Sequence, residues 1–183
     1  MTRTAWKMVE PGSPMPAFRL PDSAGRELDS AELDDNPVLV AFICNHCPFV
    51  KHIAPALAGF AREYMDRGLA VVAINSNDGS TYPDDSPARM ADEVRRRDYP
   101  FPYLADETQE VARAFGAACT PDFFLYDRNH RLVYRGQFDD SRPGSDTPVT
   151  GADLRAACDT VLAGDTPDPE HQKPSLGCNI KWR

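Results

Sequence analysis

Residues 37 to 49, Pro37-Val38-Leu39-Val40-Ala41-Phe42-Ile43-Cys44-Asn45-His46-Cys47-Pro48-Phe49, carry an apolar run straight into a C-x-x-C. The run is short, rich in β-branched side chains and uncharged, the pattern of a central strand buried on both faces. Beyond it Ile53, Ala54, Leu57, Ala58, Phe60, Ala61 and Tyr64 recur at helical spacing, so a helix follows. The two cysteines therefore fall at a strand-to-helix junction. Unpaired N–H groups and the dipole at a helix start favour an anion, and the anion available here is a thiolate.

Working outward, Gly68 can end that helix, and Leu69 to Asn75 is a second apolar strand, which makes a right-handed βαβ unit with parallel strands. Before it, Met15 to Leu20 alternates, Pro21 to Arg26 is turn-like, and a short hairpin is expected, followed by one helical turn at Ser30–Leu33. After it, residues 77 to 87 read as a polar loop, residues 87 to 97 as an exposed helix started by a proline, and residues 101 to 104 as a short extended piece. Residues 107 to 115 read as a helix that Gly116 ends. Two strands, Phe123 to Asp127 and Leu132 to Gly136, are joined by a tight turn through Arg128-Asn129-His130 and so pair antiparallel. Thr150 or Asp153 can cap a last helix with Leu154, Ala157, Cys158, Val161 and Leu162 on one face. A proline-rich tail runs from Gly164 to Arg183.

A chain of 183 residues fits one domain, divided here into an N-terminal extension (1–36), a core (37–163) and a tail (164–183). The net charge of −8 argues against nucleic acid or an anionic membrane as the main partner. No basic segment followed by an apolar one opens the chain and no stretch reaches membrane-spanning length, so a cytoplasmic protein is expected. Five cysteines at uneven spacings do not make a secreted disulfide framework. In a reducing compartment a cysteine pair points to chemistry.

Strand, C-x-x-C, helix and strand, then Thr120-Pro121 leading into a hairpin and a last helix, resembles the thioredoxin fold across roughly residues 10 to 163. The extension and the inserted helix resemble the larger relatives, the peroxiredoxin (AhpC/TSA) group and the TlpA-like thiol-disulfide oxidoreductases. Cys-Asn-His-Cys-Pro, Cys-Thr-Pro-Asp-Phe-Phe-Leu and the closing Gly-Cys-Asn-Ile-Lys-Trp are similar to one bacterial thioredoxin-like family. The resemblance implies an α/β domain, a central mixed sheet flanked by helices, with an N-terminal hairpin, an inserted helix and an ordered tail. It implies Cys44 as the exposed nucleophile, Cys47 as the buried resolving thiol, and Pro121 as a cis-proline beside them.

The chain departs from the relatives at several positions. Thioredoxin's tryptophan before the first cysteine is Ile43, and its buried aspartate falls at Val38. The helix proline, Pro55, lies three residues farther from the second cysteine. Against the peroxiredoxin pattern aligned on Cys47, Cys44 stands in place of the threonine and Val40 in place of the proline. Ala117 and Ala118 stand where an arginine would precede the Thr-Pro.

His46 lies between the cysteines, as a histidine does in protein disulfide isomerase; an imidazole there stabilises the thiolate and makes the disulfide more oxidising. Cys119 and Cys178 are candidate auxiliary thiols, each with packing as the plain alternative, whereas Cys158 falls on an apolar helix face. His52, His130 and His171 read as surface residues, and Asp139, Asp140 and Arg142 as a solvated loop. Arg62, Glu63 and the run Arg95 to Arg97 read as solvated helix faces.

Three functions compete. The first is thiol–disulfide exchange with protein or small-molecule thiols and disulfides at Cys44 and Cys47. The second is a thiol peroxidase using Cys47 or Cys44. The third is soft-metal binding by the two thiolates with a further cysteine or histidine; copper-delivery proteins of this fold have one more residue between the cysteines. The first needs no cofactor beyond the redox-active disulfide and no metal. Oligomeric state is not legible.

Overall fold

A computed structural model describes residues 9–183; the first eight residues of the expected extension lie outside the described residues. The apolar run becomes β3 (Val38–Phe42), every residue of which is buried. Because side chains alternate along a strand, β3 feeds two cores. Leu39 and Ala41 face a cluster with Leu57, Phe60 and Tyr64, whereas Val38, Val40 and Phe42 face one with Phe18, Phe115 and Phe124.

In chain order, β1 (Arg19–Pro21) and β2 (Glu27–Asp29) form the expected hairpin, and a 3-10 turn at Ser30–Leu33 leads into β3. Then come α1 (Pro48–Asp66), β4 (Ala70–Asn75), α2 (Pro87–Arg97), β5 (Tyr103–Ala105) and α3 (Glu110–Phe115). The chain closes with β6 (Cys119–Thr120), β7 (Asp122–Tyr126), β8 (Leu132–Gly136), α4 (Ala152–Leu162) and β9 (Cys178–Asn179). The main sheet runs β5-β4-β3-β7-β8, with β4 parallel to β3 and β5 parallel to β4; β7 is antiparallel to β3 and β8 to β7. Residues of α1 and α4 cover one face, and α3 with the N-terminal hairpin the other. This is the mixed α/β architecture that the resemblance implies. No helix among the described residues is long and apolar enough to cross a membrane.

Three local expectations need correcting. Helix α3 starts only at Glu110, because Gln109 adopts a left-handed φ of 64° and buries its side chain, whose amide donates to Ser76 O and Lys181 O. The residue before α4 is Gly151, at φ 70°, rather than Thr150 or Asp153; a Cβ there would strike the Phe138 ring. Asp139 is no solvated loop residue: it is buried, and its carboxylate accepts the N–H groups of Ser141, Thr150 and Gly151. An unpaired carboxylate would not be buried; three N–H donors make its burial tolerable.

Candidate active site

Strand β3 ends at Phe42, and Ile43 N–H still reaches Ile74 O at 3.0 Å, so the chain is held to the sheet until Cys44. Cys47 is the N-cap residue of α1, with extended backbone (φ −69°, ψ 125°), and Pro48 occupies the first helical position, where no N–H is needed. Both cysteines are buried, Cys44 at 2 % exposed and Cys47 at 0 %, so the exposed position that the resemblance implies for Cys44 is corrected: Cys44 lies within the core cluster.

Opposite them, β6 delivers Thr120 and the cis peptide bond Thr120–Pro121, where the resemblance placed it. Thr120 meets both cysteines. Its hydroxyl is 3.3 Å from Cys44 Sγ, and its carbonyl oxygen is 3.3 Å from Cys47 Sγ.

The two thiols are driven apart in acidity. The Cys44 S–H bonds to the Cys47 sulfur, which also accepts the N–H groups of Val50 and Cys178 and the Cys178 S–H; together these outweigh burial and bring Cys47 down to about 5. Cys44 goes well above the usual thiol value, because its proton is committed to Cys47, because it is buried, and because Asp85 is close. The direction favours the thiolate on Cys47 over Cys44, the cysteine the resemblance makes the nucleophile.

Asp85 is the residue that sequence reasoning missed. It comes from the loop after β4, has a fully buried side chain, and pairs with His46 Nδ1, whose side chain is 25 % exposed. Its Oδ1 accepts Asn45 N–H at 2.7 Å and Asn75 Nδ2 at 3.2 Å, and its Oδ2 accepts Asn77 Nδ2 at 3.0 Å. Tyr82, from the same loop, stacks on the imidazole with ring planes 10° apart. No spacing marks Asp85 out from Asp78 or Asp84 in that loop. The only signal was the absence of a carboxylate at Val38, which is buried in the strand.

The tail folds back over the pair. Strand β9 pairs antiparallel with β6, Thr120 opposite Cys178 and Cys119 opposite Asn179. Ile180 is buried in the second core, and Lys181 N–H donates to Asn77 Oδ1 at 2.9 Å. Cys178 is half-buried and packs against the cluster that contains Cys44 and Cys47. The other two cysteines are held as thiols. Burial raises Cys119, whose Sγ lies 3.8 Å from Pro121 O, and burial in the core raises Cys158 on α4.

The remaining candidates lie elsewhere. His130, read as a surface residue, is half-buried in the β7–β8 turn at φ 54°, and His171 is exposed beside Asp168. His52 differs from the surface reading: it is half-buried, its Nε2 2.7 Å from Ser141 Oγ. In α2, Arg96 and Arg97 both pair with the buried Glu93, so that face is less solvated than its composition suggests. Among the described residues, one group places three metal-ligating types together: Cys44, His46 and Asp85, with ligand atoms within 4.8 Å of one another. It does not include the second thiolate of the expected metal set.

Comparison with known proteins places the fold. A hypothetical protein from Sinorhizobium meliloti 1021 has a solved structure that superposes with a TM-score of 0.94 at 55% identity, over 97% of each chain. The thiol-disulfide oxidoreductase ResA of Halalkalibacterium halodurans is 26% identical over 116 residues, 63% of this chain and 62% of that protein. The chloroplastic peroxiredoxin Q of Suaeda salsa is 28% identical over 142 residues, covering 71% of this chain and 62% of that one. The chain thus spans about 62% of the length of these two relatives. The AhpC/TSA family matches residues 11–135, from just before the N-terminal hairpin to β8 and across the whole C-x-x-C unit, and the chain belongs to that family.

Proposed function

We propose that the protein is a thiol-disulfide oxidoreductase working by dithiol–disulfide exchange at Cys44 and Cys47. One observation carries the reading: two buried thiols sit together at a helix N-terminus, the Cys44 proton directed at Cys47, with Thr120 across from both. Moving that proton from Cys44 to Cys47 puts the thiolate on Cys44, where the Thr120 hydroxyl donates to it. Cys47, now a thiol, donates to Thr120 O. Thr120 therefore has a hydrogen bond for each sulfur once the proton is on Cys47.

The Cys44 thiolate attacks a disulfide R–S–S–R, forming a mixed disulfide and releasing one thiolate. Cys47 then attacks the Cys44 sulfur, closing the Cys44–Cys47 disulfide and releasing the second. The substrate gains two electrons and the one proton that the thiol–thiolate pair holds, and takes its second proton from solvent. His46 and Asp85 set how readily the pair gives them up. The ResA likeness supports this reading, and a cytoplasmic setting, with its reducing thiols, suits it. The test is reduction of insulin or of a glutathione mixed disulfide by the purified protein. Turnover falls to background in Cys44→Ser; activity retained in that variant overturns the reading.

A thiol peroxidase is the second reading, favoured by the thiolate held at Cys47 and by the likeness to peroxiredoxin Q. Stopped-flow mixing with hydrogen peroxide separates the two. Consumption no faster than by free cysteine dismisses the peroxidase.

A further inference from the structure

We propose that Cys178 is a third redox thiol, which takes the disulfide over from Cys44 by attacking the sulfur of Cys47. The proposal rests on the disulfide-exchange reading only for the oxidant that first closes the Cys44–Cys47 bond.

The geometry is built rather than incidental. Antiparallel pairing sets Cys178 opposite Thr120, and Thr120 O is 3.3 Å from Cys47 Sγ. Gly177 is what lets the tail approach: a Cβ there would lie 1.9 Å from Thr120 O, closer than any side chain can come. Past Cys178, the strand is tied down on several sides. Ile180 N–H bonds Ala118 O at 3.1 Å and its side chain is buried. Gln109 bonds Lys181 O and Arg183 N, while Arg183 pairs with Asp78. On the near side, Ser175 Oγ donates to Asp122 Oδ1 at 2.9 Å or to Gly136 O at 2.6 Å. A thiol held from both ends against the redox pair pays little entropy to react with it.

The step balances without a further oxidant. In the oxidised protein, the Cys178 thiolate attacks Cys47 Sγ; the Cys47–Cys178 bond forms, the Cys44–Cys47 bond breaks, and Cys44 leaves as a thiolate. No net electrons move. In the reduced state, burial and the neighbouring Cys47 raise Cys178 to about 11, so it waits as a thiol. Closing the first disulfide leaves no thiolate at Cys47, and that part of the restraint goes with it. Lys181, which favours the Cys178 thiolate, remains. The product ties the tail covalently over the site and returns Cys44 to a thiolate.

The test oxidises the full chain with diamide, alkylates the remaining thiols, and maps disulfides by mass spectrometry after digestion without reductant. Peptides joining Cys47 to Cys178 are expected beside those joining Cys44 to Cys47. In Cys44→Ser, the Cys47–Cys178 bond should be the main intramolecular disulfide. Oxidised wild type in which Cys178 is always alkylated overturns the proposal, and so does a Cys44→Ser variant that folds and forms no intramolecular disulfide. Should the variant fail to fold, the wild-type map alone decides. Insulin turnover with Cys178 always alkylated sinks this step and leaves the oxidoreductase reading standing. A Cys47–Cys178 bond without insulin turnover does the reverse.

Discussion

Asp85 Oδ1 accepts the backbone N–H of Asn45 at 2.7 Å, which fixes a buried carboxylate inside the loop of the C-x-x-C itself. The same carboxylate pairs with His46 and raises the acidity threshold of Cys44. These influences oppose each other: a cationic imidazole favours the thiolate, and the carboxylate repels it. The His46 side chain is partly exposed to water, whereas the Asp85 side chain is wholly buried, so its repulsion of a Cys44 thiolate is little screened.

Asp85→Asn should therefore ease ionisation of Cys44 and stabilise the reduced form. The disulfide becomes more oxidising, and the reduction potential rises by about 30 mV for each tenfold change in the exchange equilibrium. A glutathione redox titration reads the shift, and absorbance of the thiolate against pH reads its cause. The variant should also lose about 1–3 kcal/mol of stability, because an amide cannot accept from all the donors now aimed at the carboxylate. A lowered potential would mean that support of His46 outweighs direct repulsion.

The redox state should change how stability responds to pH. An unfolded cysteine ionises near 8.5, whereas Cys47 in the folded reduced protein ionises at about 5. Between those values the unfolded chain binds the extra proton, so folding gains stability as pH rises from about 5 and holds that gain in full above about 8.5. Cys44, shifted upward, acts in the opposite sense: its contribution is present below the unfolded value and is lost as pH climbs beyond it. Urea unfolding of the reduced protein should show stability climbing from pH 5 to 8. The Cys44–Cys47 disulfide form, with neither thiol left to titrate, should lack that climb.

Gly177→Ala should lift β9 from β6, since the new Cβ has no room against Thr120 O. Ile180 then leaves the second core, at a cost of roughly 1.5–3 kcal/mol for a buried aliphatic side chain. Alkylation of Cys47 should speed up, proteolysis after Lys181 should begin, and the Cys47–Cys178 disulfide should disappear while Cys44–Cys47 still forms. Unchanged protection of Cys47 would show that the tail does not cover it.

Arg135 and Asp122 form an ion pair at 3.0 Å with side-chain exposures of 2% and 0%, directly beneath the tail's contact at Ser175. Burial holds Asp122 above the usual carboxylate range even with Arg135 beside it. Arg135→Met leaves that carboxylate unpaired and should cost about 3–5 kcal/mol in urea unfolding. Adding Asp122→Leu should recover much of the loss, because the double variant buries no charge. Equal destabilisation in both proteins would locate the effect in packing instead.

How much of this was legible in the sequence follows from the range of the interactions. The strand of Val38 to Phe42, the helix behind it and the βαβ unit are local patterns of period two and period 3.6, and they appear where periodicity puts them. Pro121 could be placed because a resemblance carried it. Asp85 could not, since its partners Asn45 and His46 lie some forty positions away and nothing in its own neighbourhood distinguishes it. The start of α3 was misjudged because the Gln109 side chain serves the tail instead of the helix. Cys178 was visible as a cysteine, but its register against Thr120 depends on an approach that only the folded glycine permits.

Cys44 and Cys47 share one buried cluster with Leu57, Phe60 and Phe123, so the reacting atoms are also core atoms. Closing the disulfide draws two sulfurs to about 2.05 Å, inside an interior packed as densely as an organic crystal. Folding and oxidation then form one thermodynamic cycle. A change such as Leu57→Ala costs about 2–5 kcal/mol, and whatever part falls unequally on the two redox forms reappears as voltage, about 30 mV for 1.4 kcal/mol. The reduction potential of this protein is a property of its hydrophobic core as much as of its cysteines.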